Sequence, residues 1–289
     1  MEVLNVSGYR FTPLDELRSK RDRLRRDTRA LGLRGTVLLA EEGINCFLAG
    51  SREQIDAFRQ VAFGELGIPE VTFKESWSPK QPFRRMLVKI KREIIPLGRP
   101  EINPGRRPAP FVAARELKRW LDEGRPVVLL DTRNDYEVKV GTFRGAVDPD
   151  VRTFRKFPQA IAELERNLPD LRNRTVVTFC TGGIRCEKAA PYLAQQGFRD
   201  VYQLEGGILK YFEECGDAHY DGNCFVFDQR VALNGRLETA EFKQCFRCRE
   251  PLNLEDQASP HYRLNESCPY CFGKQIGAAS DLSADPLEP

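Results

Sequence analysis

The chain has 289 residues, with 45 basic and 42 acidic side chains and nine cysteines. That length allows about two or three domains. No apolar run approaches the ~20 residues of a membrane helix, and the opening MEVLNVSGYRF lacks the charged-then-apolar plan of a secretory signal, so the expected compartment is the cytosol. An odd cysteine total in a chain this long argues against a small disulfide-stapled scaffold and points to metal binding or thiol chemistry.

Residues 1–95 read as strand–helix–strand–strand–helix–strand. Val3–Tyr9 is a strand, and Thr12-Pro13 is a cap and first-turn proline for a helix from Leu14 to Leu31. Gly35–Ala40 and Gly43–Ala49 are β-rich runs split by a Glu41-Glu42 turn. Ser51 caps a helix over Gln54–Phe63, Val71–Glu75 is a strand, and Met86–Ile95 adds one more. The order is that of a ferredoxin-like α+β domain, which by itself specifies no function.

Residues 96–110, PLGRPEINPGRRPAP, have the composition of a linker. From 111 to 215 the pattern becomes α/β, with helices at Phe111–Glu123, Phe157–Asn167 and Cys186–Gln196 and strands at Val127–Leu130, Val176–Phe179 and Val201–Leu204. The strands are apolar without alternation, as a parallel sheet covered on both faces requires. Residues 216–276 are a cysteine-rich region, and 277–289 are small and acidic and expected to be disordered. The net charge of +3 divides into +7 over residues 1–110, +1 over 111–215 and -5 over 216–289. On the first predicted helix Arg18, Arg21, Arg25 and Arg29 share one stripe, and Arg84-Arg85 and Arg106-Arg107 are further basic pairs. Such a stripe is either a solvated face or a surface that tracks the phosphates of a nucleic acid.

The most informative segment is VVTFCTGGIRC. A buried strand delivers Cys180 to the C-terminal edge of the sheet, where open α/β sheets bind ligands. Thr181, Gly182, Gly183 and Ile184 form a tight loop, and Arg185 opens a helix. Loop N–H groups, the helix N-terminus and the arginine charge all favour a thiolate, so Cys180 reads as a nucleophile and Arg185 as the residue that holds its charge. Cys186 is either a resolving thiol for an oxidised or persulfidated Cys180 or a thiol packed against the sheet. Asp131 ends a strand beside this edge, and Arg133 and Glu137 read as a scaffold ion pair. Tyr136, Phe143, Phe154 and Phe157 are aromatic candidates for contacting a base, or core residues.

Cys180–Arg185 has the Cys-x4-Arg spacing of the rhodanese loop. Asp131-Thr132-Arg133 with Glu137, Gly145-Ala146 and Leu204-Glu205-Gly206-Gly207 resemble other rhodanese elements. Phosphatase loops are one residue longer. The string CTGGIRCEKAAPYL, the basic ferredoxin-like segment with its EEGIN turn and the cysteine-rich tail together resemble the bacterial tRNA uridine(34) hydroxylase family over about residues 1–275. That resemblance implies oxygen-dependent formation of 5-hydroxyuridine at the wobble position, with molecular oxygen as co-substrate, the tRNA anticodon loop as partner and Cys180 as a persulfide-forming cysteine. Two alternatives stay open on the residues: a rhodanese-type sulfurtransferase, and a tRNA-binding or redox-sensing protein without catalysis.

Cys245, Cys248, Cys268 and Cys271 form C-x2-C-x19-C-x2-C, a zinc-ribbon spacing. Four cysteines leave no open position, so the expected role of zinc is structural. His219 and His261 are read as surface residues, Cys46 as core, and Cys215 and Cys224 have no assigned role.

Overall fold

The computed structural model describes residues 2–105 and 108–274. Arg106-Arg107 and the tail expected to be disordered lie outside the described residues. The chain divides into two compact units: residues 2–96 with 103–105, and residues 97–102 with 108–274. Among the described residues no helix is long and apolar enough to cross a membrane.

In the first unit, β1 (Val3–Phe11), β2 (Arg34–Ala40), β3 (Gly43–Gly50), β4 (Lys74–Ser78) and β5 (Met86–Ile90) form one sheet in the order β4-β1-β3-β2-β5. All pairings are antiparallel except β2 with β5. Helices α1 (Leu17–Ala30) and α2 (Arg52–Arg59) complete the ferredoxin-like order, and α2 runs on into a π-turn over Gln60–Glu65. The sheet buries Leu4, Val6, Val37, Leu39, Ile44 and Leu48 against Leu24 of α1 and Ile55 and Phe58 of α2. Ser51 caps α2 in a full capping box with Gln54.

Several boundaries differ from the sequence reading: β1 runs on to Phe11, and α2 starts at Arg52 where Gln54 was expected. Helix α1 begins at Leu17, with Glu16 before it in the left-handed region, and not at a Thr12-Pro13 cap. The Thr12 and Leu14 N–H groups donate instead to the carbonyls of Glu42 and Glu41, at 2.9 and 3.0 Å, so this stretch stays extended beside the β2–β3 turn. The last strand of the ferredoxin-like order begins at Lys74, because Val71–Phe73 pack over Gly8 of β1. A Cβ on Gly8 would lie 2.6 Å from a Val71 methyl. Strand β5 ends at Ile90, and Ile94 is pinned by bonds from its N–H to the Glu42 carboxylate and from the Asn45 amide to its carbonyl.

The second unit holds a parallel sheet of β6 (Phe111–Val112), β7 (Val127–Asp131), β9 (Thr175–Phe179) and β10 (Asp200–Leu204), in the order β6-β10-β9-β7. The intervening strand β8 (Gly141–Phe143) pairs with β11 (Tyr220–Gly222). Helices α3 (Ala114–Asp122), α4 (Asp135–Val138), α5 (Phe157–Asn167), α6 (Ile184–Gln195) and α7 (Gly207–Cys215) connect the strands. Phe111 and Val112 were expected in the first helix of this domain; they form the sheet edge because Gln203 N–H donates to the Pro110 carbonyl and Glu205 N–H to the Val112 carbonyl. Leu129, Val177 and Phe179 of the sheet pack with Phe143, Tyr211 and Tyr220 in one core. After α7 the chain makes short hairpins, β12 (Cys224–Phe225) with β13 (Ala232–Leu233) and β14 (Lys243–Gln244) with β15 (Pro251–Leu252), followed by α8 (Leu254–Ala258).

Candidate active site

Strand β9 ends at Phe179, and the next residue, Cys180, is fully buried. Its sulfur accepts the Gly183 N–H at 3.1 Å. Gly183 has φ +99°, a turn that a residue with a Cβ adopts at a cost and that directs this N–H inward. Burial alone would raise the Cys180 pKa. The Cys186 thiol, the Arg185 guanidinium and the backbone N–H groups of Arg185 and Gly183 overcome that and hold it well below the ordinary thiol range. Cys186 is pushed the other way, by burial and by its place beside the Cys180 thiolate. Cys224 has the same burial but lacks this set of donors, and burial pushes it up to about 12.

The loop backbone is held from behind by α7. Ile208 N–H donates to the Cys180 carbonyl at 2.9 Å and Leu209 N–H to the Thr181 carbonyl at 3.1 Å. Gly207 precedes them at φ +68°, and a Cβ there would sit 2.4 Å from the Cys180 carbonyl oxygen. The Leu204–Gly207 motif is thus the clamp that lets two helix starts converge on one loop. Gly182 and Ile184 are half-exposed, whereas Thr181, Gly183, Arg185 and Cys186 are buried.

The charge on Arg185 is balanced by a residue the sequence reading assigned elsewhere. Glu137 on α4 receives both guanidinium terminal nitrogens, at 2.5 and 2.7 Å, and both side chains are almost completely buried. Thr181 Oγ1 donates to the same carboxylate at 3.3 Å and Asn134 N–H at 3.1 Å. The expected Arg133–Glu137 pair does not form. The Arg133 side chain bonds bidentately to Asp131, with Nε to Oδ1 at 2.9 Å and Nη2 to Oδ2 at 2.6 Å, and also reaches the Gly141 carbonyl. Glu137 carried a usable signal: Asn134-x-x-Glu137 is a capping box at the start of α4, which holds the carboxylate at one end of a helix beside the sheet edge. After both terminal nitrogens are engaged, Arg185 Nε is a buried donor with no partner among the described residues.

Segments around the loop close the site. Thr181 Oγ1 lies 3.4 Å from the Phe225 carbonyl, and the Arg185 guanidinium sits over the Phe227 ring at 5.8 Å. The aromatic candidates Phe143, Phe154 and Phe157 are buried in ring clusters, so none of the three offers a free face to a base. Tyr136 packs edge-on against Phe225. Cys46 is core, His219 bonds to Asp122, and His261 stacks on Phe272.

The four knuckle cysteines converge. All four Sγ atoms lie within 4.8 Å of one another, with separations of 3.4 Å (Cys248–Cys268), 3.7 Å (Cys268–Cys271) and 3.9 Å (Cys245–Cys271). A tetrahedron with metal–sulfur bonds of about 2.3 Å has edges of about 3.8 Å, so the set fits a four-thiolate metal site. The first pair sits on the β14–β15 hairpin, where Arg249 takes φ +67° and Cys245 N–H donates to the Glu250 carbonyl. The Glu250 carboxylate in turn accepts Arg152 at 2.6 Å, and Arg152 also reaches Asp135 of α4.

On α1 of the first unit, Arg18, Arg25 and Arg29 are exposed and form no salt bridge among the described residues. Arg21 is half-buried and bonds to Asp22 at 2.8 Å. The face therefore carries three exposed guanidinium groups outside any salt bridge among the described residues, with Asp22 near enough to Arg25 to feel its charge.

A parallel sheet that presents a stabilised cysteine thiolate in a four-residue loop closed by arginine defines a rhodanese-like protein. Residues 113–214 match the family described as rhodanese-like domain, and residues 3–94 match the UPF0176 acylphosphatase like domain. Full-length relatives narrow the class. A protein of Cupriavidus necator named tRNA uridine(34) hydroxylase is 52% identical over 285 residues, covering 97% of this chain and 100% of its own. A relative of the same name from Paraburkholderia xenovorans is 53% identical over 280 residues, covering 94% and 96%. The chain belongs to the tRNA uridine(34) hydroxylase family.

Proposed function

We propose that this protein hydroxylates uridine at position 34 of tRNA to 5-hydroxyuridine, in the anticodon loop, with molecular oxygen as co-substrate and Cys180 as the reactive, persulfide-forming cysteine. The observation that carries this reading is the Cys180 thiolate loop within a chain that aligns nearly end to end with relatives of that name. Cys180 bears the sulfur, and Arg185 keeps it anionic while Glu137 keeps Arg185 in place. The orphan Arg185 Nε is a donor suited to an added anionic sulfur or oxygen atom on Cys180. Cys186 is the resolving thiol: its attack on a Cys180 persulfide forms the disulfide and releases hydrogen sulfide, and attack on a sulfenic acid releases water. Arg18, Arg21, Arg25 and Arg29 hold tRNA phosphates, which carry no sequence information. Cys245, Cys248, Cys268 and Cys271 hold a structural zinc, because four thiolates leave it no open position.

The test is a nucleoside digest of tRNA from cells whose only copy is Cys180→Ser. Loss of 5-hydroxyuridine and nucleosides derived from it is expected; wild-type levels sink the reading. The Cys-x4-Arg loop also favours a second reading, sulfur transfer. Thiocyanate formed from thiosulfate and cyanide at rates comparable to a dedicated sulfurtransferase, together with normal tRNA digests in the variant, selects it instead.

A further inference from the structure

The first unit contains a cavity of about 820 Å³ between the C-terminal half of α1 and strand β5. Arg25, Arg26 and Arg29 line one wall, and Met86, Leu87 and Val88 line the other. Arg26 is engaged by Asp27 at 3.2 Å, while Arg25 and Arg29 face outward without a salt bridge among the described residues. Strand β5 is the edge of its sheet, paired among the described residues with β2 alone, so backbone donors and acceptors on its outer side run beside the cavity. Met86 is half-exposed at the edge of the core beside Val88, leaving part of its side chain as apolar surface under the charged rim, whereas the Leu87 side chain alternates to the opposite face of the sheet.

We propose that this groove is a seat for an unpaired nucleotide of the tRNA, separate from the wobble uridine that undergoes chemistry. The inference rests on the tRNA reading above and names where and how one further part of that substrate is held. Three properties of the groove select the ligand class. Two exposed guanidinium groups, Arg25 and Arg29, outside any salt bridge among the described residues, attract phosphodiester oxygens and hold them by charge-assisted hydrogen bonds. The apolar floor, with a polarisable thioether, suits the face of a flat ring, the arrangement by which single-stranded nucleic acids are bound irrespective of sequence. The outer edge of β5 at Met86–Val88 presents backbone groups toward the edge of that base. A cavity of about 820 Å³ lies within the usual range of roughly 300–1,000 Å³ for small-ligand sites and accommodates a nucleotide with its phosphates. A base-paired helix satisfies the charges but cannot insert a ring, because its bases are stacked. A run of acidic residues such as polyglutamate supplies carboxylates but no ring for the floor.

The experiment uses the full chain, with heptauridylate as single-stranded probe, a short RNA duplex, and polyglutamate as competitor, read by fluorescence anisotropy over a salt series. Arg25→Ala/Arg29→Ala should weaken heptauridylate binding at least about tenfold. It should also flatten the log–log salt dependence by roughly 1.4, at about 0.7 per lost phosphate contact on a single strand. Met86→Ala should weaken the same probe several-fold with the salt slope unchanged, and should leave duplex binding unaffected. Thermal melting of each variant checks that the fold persists. As a measurement independent of any variant, 4-thiouridine-substituted tRNA should cross-link to the peptide containing Met86–Val88 in the wild-type protein. Unchanged heptauridylate binding by Arg25→Ala/Arg29→Ala overturns the proposal, as does cross-linking that never reaches β5. An effect of the arginines without any effect of Met86 also overturns it, leaving only a generic cationic surface. Polyglutamate that competes as well as heptauridylate at equal charge reassigns the groove to an acidic protein segment. The hydroxylase reading fails separately: normal digests from the Cys180→Ser strain sink it even when the groove binds nucleotides as described.

Discussion

Replacing Glu137 by glutamine keeps the shape of the side chain and an acceptor for Thr181 and Asn134, yet removes the charge that Arg185 faces at 2.5 and 2.7 Å. Both groups are buried, so the guanidinium left behind has neither water nor a carboxylate. Breaking one side of such a pair costs about 3–5 kcal/mol. For a unit of this size each kcal/mol lowers the melting temperature by about 2–4 °C, so Glu137→Gln should melt about 6–20 °C lower. The reciprocal change, Arg185→Met, strands the carboxylate and should cost a similar amount. The two variants part company at the nucleophile. Without Glu137 the arginine charge acts on Cys180 unopposed, and the Cys180 pKa should fall further. Without Arg185 a buried carboxylate remains nearby with no cation between, and the Cys180 pKa should rise. The thiolate fraction at neutral pH then drops in Arg185→Met only. In the double variant both charges are gone, so most of the lost stability should return while the thiol stays raised. Thermal or urea unfolding reads the first quantity. Ultraviolet thiolate absorbance, differenced against the Cys180→Ser protein in each background, reads the second. Additive destabilisation in the double variant, or an Arg185→Met thiol that ionises as in the wild type, refutes the assignment of charge balance to this pair.

Three further outcomes concern two glycines and the four-cysteine site. Gly207→Ala forces a Cβ to 2.4 Å from the Cys180 carbonyl at φ +68° and should cost at least about 2 kcal/mol and raise the Cys180 pKa. Gly145→Ala, at φ +71° with open space around it, should cost only about 1–2 kcal/mol and leave the thiol unchanged, as urea unfolding with the same titration will tell. Purified protein should contain one zinc per chain, lost in Cys245→Ser. Hydrogen exchange should then accelerate over residues 243–274 while β7, β9 and β10 keep their protection; a metal-free native protein with full protection there contradicts the ribbon.

What could be read from the sequence was whatever is local. Seven residues, Phe179 to Arg185, contain the strand end, the glycine turn and the helix start, and backbone geometry over so short a stretch leaves little for distant parts of the chain to change. The cysteine knuckles are local in the same sense, each being one tight turn. Elements whose fate depends on distant partners read less well. Thr12-Pro13 carries a helix-start signal, but the N–H groups of Thr12 and Leu14 are taken by the Glu42 and Glu41 carbonyls of the β2–β3 turn. Phe111-Val112 has helix-compatible residues, but residues 203–205 recruit it as an edge strand.

The charge balance of the site shows the same division most sharply. Arg133 and Glu137 stand four residues apart, the spacing at which helical ion pairs form, so local reasoning joins them. Arg133, however, precedes α4, and its side chain folds back on Asp131 two residues earlier; Glu137 is thereby left for an arginine 48 residues further along the chain. Cys46, Cys180 and Cys224 make the complementary point. All three are fully buried thiols, and residue type with burial predicts the same raised pKa for each. Only Cys180 departs from it, because the loop turns N–H groups, a guanidinium and a second thiol onto one sulfur. A nucleophilic cysteine is therefore found by asking which donors the chain can aim at it, and the cysteine itself carries little of the signal.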